Sequence, residues 1–440
     1  MSKLSRRKFL FTASTVAAGT LVIHGCSAPD HNTNTTAETP TTTATPVVAS
    51  GDAPETNKAK LGFIALTDSA PLIIALEKGF FAKYGMTEVE ILKQASWPVT
   101  RDNLELGSGG GGIDGAHILT PMPYQMTLGT ITQQPVPMYI LARLNVNGQG
   151  ISVGNNYQGL NLGLDSSILQ DSVAQLKSSG KDATFAMTFP GGTHDLWMRY
   201  WLAAGGIDPS TVSVVPIPPP QMVANMKVGT MEAFCVGEPW NAQLINQQEG
   251  FSALVTGQLW HDHPEKALSM RQDWVDQNPK AAKAILMAVM EAQQWCDQPE
   301  NIEEMCTIVS QDRWFKVPVA DILPRAQGTI DFGNGVVEEN FPYAMKFWSD
   351  NASYPFPSHD LWFLTENIRW GYIPADTDTQ GLIAQVNRED LWREAAATLG
   401  VPEAEIPTST SRGVEEFFDG VKFDPENPQG YLDSLKIKKV

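Results

Sequence analysis

Cysteine is scarce, with four in 440 residues. Cys26 ends an apolar leader, so the body of the chain holds only Cys235, Cys296 and Cys306. An odd number excludes a complete disulfide framework. A single Cys296–Cys306 bridge and buried free thiols both stay open. Positive charge is also short: 31 Lys and Arg face 49 Asp and Glu, a formal net charge of -18. Nucleic acid is therefore a poor partner. An anionic ligand would have to be drawn in by local groups against that overall sign, within a screening length of about 8 Å at physiological salt. After residue 23 no run is long and apolar enough to cross a bilayer. Catalytic signatures are missing too. There is no His-Glu-x-x-His, no Cys-x-x-Cys and no Gly-x-Ser-x-Gly. The glycine-rich stretch Gly107 to Gly112 lacks the Lys-Ser/Thr of a phosphate loop and reads as a turn. Nothing anchors enzyme chemistry, and neither catalysis nor a cofactor is expected.

What the chain does contain begins with an address. Ser5-Arg6-Arg7-Lys8-Phe9-Leu10 is a twin-arginine pattern, followed by the apolar run Phe9 to Ile23 and by Gly25-Cys26. Residues 1–26 read as a lipoprotein signal with lipid on Cys26, a simple signal peptide being the alternative. Residues 27–57, rich in Thr, Pro and Ala, read as a flexible tether. From Lys60 onward strands alternate with helices, which predicts largely parallel sheets covered on both faces. Such sheets bind ligands beyond the carboxyl ends of their strands. The Asn- and Gly-rich segment Asn145 to Gly159 reads as a crossing to a second unit, with NLGLD as that unit's first strand. A second crossing is expected near Glu249 to Ser252. Residues 270–298 read as helical, interrupted at Asn278-Pro279. The resulting expectation is two α/β lobes, 58–147 with 251–440 and 148–250, with the segment after Trp314 as a wrap-around extension.

The stretch Phe185 to Ala204 organises the second lobe. It reads as a buried strand, a Pro190-Gly191-Gly192 turn and a helix opening at Thr193 as N-cap. A glycine turn feeding a helix N-terminus, with His194 in the first turn, is a candidate anion site; an ordinary connection is the alternative. Trp97 follows strand EVEILKQ at a carboxyl edge, where an indole gives a flat wall and one N–H donor. Gln149 sits in the first crossing, and Val236-Gly237 at the end of MEAFCVG. Lys266 is a point charge with three donors, suited to a small anion and equally at home in solvent. His261, Asp262, His263 and Glu265 admit a metal reading, which needs a further ligand from elsewhere; a polar loop is the alternative.

Together these stretches resemble a known family. The twin-arginine lipoprotein start, KLGFIALTDSAPLIIALEKGFFAKYGM, LKQASW, GGIDGAHILTPMP, MYILARLNVNGQGI, MTFPGGTHDLWMRYWLAAGG, PQMVANMKVGTMEAFCVGEPW, LWHDHPEKA and FLTENIRWGY are similar to the cyanobacterial nitrate/nitrite-binding lipoproteins of ABC transporters. The bicarbonate-binding lipoproteins are close relatives. The resemblance implies an α/β, two-lobed, periplasmic-binding-protein-like C-clamp with two crossover segments and a C-terminal extension. It implies a monomer, exported and lipid-anchored on the periplasmic face of the membrane, that hands its ligand to a permease and cytoplasmic ATPases. The implied ligand residues are Trp97, Gln149, His194, Pro219, Val236, Gly237 and Lys266. Trp97, Gln149, His194 and Lys266 would supply side-chain donors, Gly237 its backbone, and Pro219 and Val236 the wall. The bicarbonate-binding relatives carry an acidic residue at the position of Lys266 and use calcium. Lys266 thus favours a monovalent oxyanion held without metal, and a calcium-dependent bicarbonate receptor is the rival. Pro220, Asn241 and His261 depart from the family pattern at positions outside the implied ligand set.

Overall fold

The computed structural model describes residues 53–439. The signal, Cys26 and most of the tether lie outside the described residues. Two five-stranded sheets carry the fold. In the first, β1 (Lys58–Phe63), β2 (Glu88–Lys93), β3 (Gly115–Leu119), β4 (Met138–Arg143) and β10 (Lys266–Arg271) lie in the order β2-β1-β3-β10-β4. In the second, β5 (Gln149–Gly154), β6 (Thr184–Met187), β7 (Ser213–Pro216), β8 (Ala233–Gly237) and β9 (Gly250–Val255) lie in the order β7-β6-β8-β5-β9. Central strands such as β3 and β8 are buried along their whole length, as expected where helices cover both faces of a sheet. Edge strand β2 instead alternates exposed and buried residues over its first four positions.

The sheets are mixed rather than largely parallel. β10 runs antiparallel to β3 and β4, and β5 runs antiparallel to β8 and β9. Both departures follow from where the chain crosses between the sheets. The first crossing is only 144–148, with Asn147 and Gly148 both at positive φ (58° and 83°). The Asn/Gly-rich composition therefore marks a tight turn, and Gly150 to Gly154 already belongs to a buried strand. NLGLD forms no strand; Asn161 has φ 51° and the segment is a loop. The second sheet runs past residue 250, because β9 pairs with β5 as far as Val255. The second crossing is 256–265, and Lys266 opens a strand where a helical run was expected to begin soon after. The helical pattern then starts at Gln272 and breaks at Asn278-Pro279 as the sequence indicates.

The two crossings lie side by side. Asn147 N–H donates to His263 O (3.1 Å), Glu265 N–H to Asn145 O (3.2 Å) and Leu144 N–H to Lys266 O (2.8 Å). A buried amide fastens the start of the first crossing to the helix Pro279–Cys296. Gln293 Nε2 donates to the carbonyls of Arg143, Leu144 and Phe347 at 2.8–3.1 Å.

The C-terminal segment is built into the same core. It covers one outer strand of each sheet: Arg143 N–H in β4 donates to Ser353 O (2.9 Å), and Ser252 N–H in β9 donates to Phe332 O (2.8 Å). Covered edges do not template pairing with other chains. The tail also packs on the helix Thr193–Ala204. Trp362 stacks on Trp197 (ring centroids 5.0 Å) and Phe417 on Tyr200 (5.1 Å), while Trp260 of the second crossing meets both Trp362 and Phe417. Cys235, Cys296 and Cys306 are free and buried, so Cys296 and Cys306 form no bridge. The deepest tail contact is ionic. Arg143 donates to Asp360, both buried, and Asn387 Nδ2 donates to the other oxygen of Asp360 at 2.7 Å. Asp360→Ala would leave Arg143 buried without its counter-charge. It should lower unfolding free energy by about 3–5 kcal/mol, read from urea denaturation midpoints against the wild type.

Candidate ligand-binding site

Where the crossings leave the sheets, side chains from both sheets meet. β1 ends in the turn Thr67–Ser69, which carries Asp68. Ser96 caps the helix Trp97–Leu106, its Oγ accepting from Val99 N–H (3.4 Å), and so fixes Trp97 as the first helical residue. β3 supplies His117 and β10 begins with Lys266. From the second sheet, β5 begins with Gln149, β8 ends with Gly237, and His194 is the second residue of its helix. Asp68, Trp97, His117, Gln149, His194, Glu265 and Lys266 are all fully buried.

Their hydrogen bonds form one network. Lys266 Nζ donates to Asp68 Oδ2 and Glu265 Oε1, both at 2.9 Å. Asp68 Oδ2 also accepts from Gln149 Nε2 (3.0 Å), and Asp68 Oδ1 from His117 Nε2 (2.5 Å). Because the Asp68 carboxylate only accepts, the nitrogen of Gln149 must face it. The amide oxygen of Gln149 then faces His194 Nε2 (2.6 Å), which therefore carries the proton. His194 Nδ1 accepts from the Thr188 hydroxyl (2.5 Å). Glu265 is held by the Thr193 hydroxyl and by Trp197 Nε1 (2.9 Å). The Trp97 indole lies beside His117 (ring centroids 5.5 Å), and Lys266 Nζ is 5.9 Å from its centroid. Trp97 Nε1 and His117 Nδ1 are buried with no partner among the described residues.

Charge in the cluster follows from burial and pairing. Burial pushes the Asp68 carboxyl up, but Lys266 and His117 outweigh it and hold the group well below the usual carboxylate range. Burial pulls Lys266 down, yet Asp68 and Glu265 leave it raised and firmly cationic. Glu265 is raised by burial despite Lys266. His117 and His194 are driven down by burial and stay neutral. His263, under the cluster, is lowered to about 3 for the same reason.

Among the residues singled out from sequence, Trp97, Gln149, His194 and Lys266 come together here. Gly237 adjoins them: a Cβ on it would sit 2.6 Å from Gln149 Oε1 and 3.3 Å from Asp68 Oδ2, so any side chain there would displace the Gln149 amide from its place in the network. Val236 is the buried residue before it, paired with Gly150 in the ladder. Pro219 is buried at the start of the turn before the helix Met222–Lys227 and makes none of the network's hydrogen bonds. Thr193 is not the N-cap. Gly192 takes that place, and the Thr193 hydroxyl is turned to Glu265. Nor is the glycine turn free for an anion, because Asp195 of the helix's first turn already accepts from Gly191 N–H (2.8 Å). His261 turns away to lie against Tyr343, whereas His263, bonded to Thr256 (2.8 Å), has its Nδ1 3.7 Å from Glu265 Oε2, and Glu265 joins the network. Among the described residues no group of three or more His, Cys, Asp or Glu is placed to hold a metal ion. Sequence reasoning missed Asp68 and His117, although both stand where β1 and β3 meet the cleft, in LTDS and in GAHIL.

Two mixed sheets joined by paired crossings, with a donor-rich buried cluster where they meet, define a solute-binding protein of the periplasmic-binding-protein fold. Residues 52–310 match the NMT1-like family. The chain is 63% identical over 444 residues to the nitrate/nitrite binding protein NrtA of Nostoc sp., covering all of both chains. It is 44% identical over 448 residues to the bicarbonate-binding protein CmpA of Synechococcus sp., covering 99% of each. It superimposes on the crystal structure of the periplasmic nitrate-binding protein NrtA from Synechocystis with TM-score 0.86, at 67% identity, over 88% of this chain and 100% of that one. The chain belongs to the nitrate/nitrite-binding protein family.

His263 gives the site a pH signature. Unfolded, it takes up a proton near pH 6.5; native, it stays neutral down to about pH 3. In that window the unfolded chain binds more protons, so stability falls as pH falls. Between pH 7 and pH 5 this group should cost about 2 kcal/mol. His263→Gln should lose that much less than the wild type in urea unfolding at the two pH values.

Proposed function

We propose that this protein is an extracytoplasmic receptor that captures nitrate, and nitrite, between its two sheets and delivers it to an ABC importer. The observation that carries the reading is the convergence of Lys266, Gln149, His194 and Trp97 from both sheets, with one firm positive charge among them. Nitrate is planar, weakly basic and accepts without donating, so it needs N–H donors and a cation rather than a proton acceptor. Charge-assisted donors are about twice as strong as neutral ones. The buried Trp97 Nε1, with no partner among the described residues, is a donor of the required kind. Gly237 supplies close backbone approach, while Val236 and Pro219 are assigned to the wall.

The lobes in this reading are the units carrying the two sheets, pivoting on the paired crossings 144–148 and 256–265. Ligand shifts their equilibrium toward a closed form that the permease and its ATPases recognise. A lipid on Cys26 would keep the receptor, as a monomer, at the membrane surface. The close likeness to nitrate/nitrite-binding proteins supports nitrate over bicarbonate, as does a lysine at 266 in place of an acidic residue.

Calorimetric titration of the chain begun after Cys26, with nitrate, nitrite and bicarbonate, each with and without calcium, tests the reading. Nitrate should bind tightly without calcium; bicarbonate bound only with calcium would overturn the assignment. Lys266→Glu should abolish nitrate binding, and Gln149→Ala should weaken it by about 1–3 kcal/mol.

A further inference from the structure

For an anion receptor, the cluster contains an unexpected charge. Lys266, its one cation, is flanked by two buried carboxyls, Asp68 and Glu265. Attraction alone would not build such a pocket, since each carboxylate opposes the anion that the lysine recruits. Glu265 is held by the Thr193 hydroxyl and the Trp197 indole as well as by Lys266. Asp68 accepts from three donors, His117, Gln149 and Lys266, which keep it ionised. It is a fixed negative charge in direct contact with Lys266 and Gln149, two of the proposed ligand residues.

Resting on the anion-receptor reading, we propose that Asp68 is a specificity-determining residue that restricts this pocket to monovalent oxyanions. Asp68 places a full negative charge against Lys266 and Gln149, so a dianion meets twice the repulsion from it that a monovalent anion meets. One unit charge at contact distance in a protein interior changes affinity by a factor of roughly a thousand. The donor side remains intact, because the same carboxylate turns Gln149 so that His194 presents a protonated Nε2. The site thus keeps strong donors while declining a second unit of charge. Replacing Asp68 with its neutral isostere gives a dianion the net charge that nitrate has in the wild type.

The test compares nitrate with sulfite, which also has three oxygens, at a mildly alkaline pH where sulfite is a dianion. Both are titrated calorimetrically into wild type, Asp68→Asn and Asp68→Ser. The wild type should prefer nitrate strongly, and Asp68→Asn should narrow the nitrate-to-sulfite affinity ratio by roughly tenfold or more. A purely structural role would weaken both anions together and leave the ratio fixed. Sulfite binding to Asp68→Asn no stronger than to wild type overturns the proposal. So does loss of both anions in the Asn and Ser variants, which would make Asp68 a structural support. A wild type that binds no nitrate would instead overturn the receptor reading itself, a separate result.

Discussion

A lysine ammonium with no exposure is the constraint around which this molecule is arranged. Removing Lys266 from water is costly, and the cost is offset only where acceptors are already in place. Asp68 and Glu265 provide them, and each is in turn held by donors from elsewhere: His117 and Gln149 on one side, Thr193 and Trp197 on the other. One charge therefore ties β1, β3, β5, β10 and the Thr193 helix into a single polar network. Its members must be satisfied together, because a partly satisfied buried network destabilises the fold around it.

The topology explains why these residues meet. Lys266 and Gln149 are each the first residue of a strand entered directly from a crossing, so the two paired crossings bring them side by side. The carboxyl ends of β1 and β8 deliver Asp68 and Gly237 to the same place, as expected for α/β sheets. Antiparallel β5 and β10 are what allow strand beginnings to join strand ends there. A purely parallel arrangement would have left Gln149 and Lys266 at the far edge.

Much of this is legible in the sequence, and the residues show where legibility stops. β1, β3 and β8 carry short apolar runs bounded by turns, β2 alternates, and the Pro279 helix announces itself through period and proline. The four donors Trp97, Gln149, His194 and Lys266 were picked out by position and chemistry, with their grouping implied by family resemblance. The strand β5 is hidden because Gly150, Ser152 and Gly154 give it little apolar pattern; tertiary burial between β8 and β9 decides its state. Thr193 has the chemistry of an N-cap, and a carboxyl 72 positions away claims its hydroxyl instead. Asp68 reads as a polar turn residue until three distant donors are found around it. Local pattern specifies elements, whereas partners far apart in sequence specify the charges at the site.

The aromatic packing between the tail and the Thr193 helix also has a consequence in time. Trp197 and Tyr200 find Trp362, Phe417 and Asp419 only after a long further stretch of chain exists; Tyr200 and Asp419 are 219 positions apart. Contacts of such long range form late, after their loop-closure entropy has been overcome. Trp197 is also the residue that holds Glu265. The chemistry of the cleft is therefore completed by polypeptide synthesised long after the cleft residues themselves, and a nascent chain that has not yet reached Trp362 and Phe417 carries the binding residues without the scaffold that aligns them.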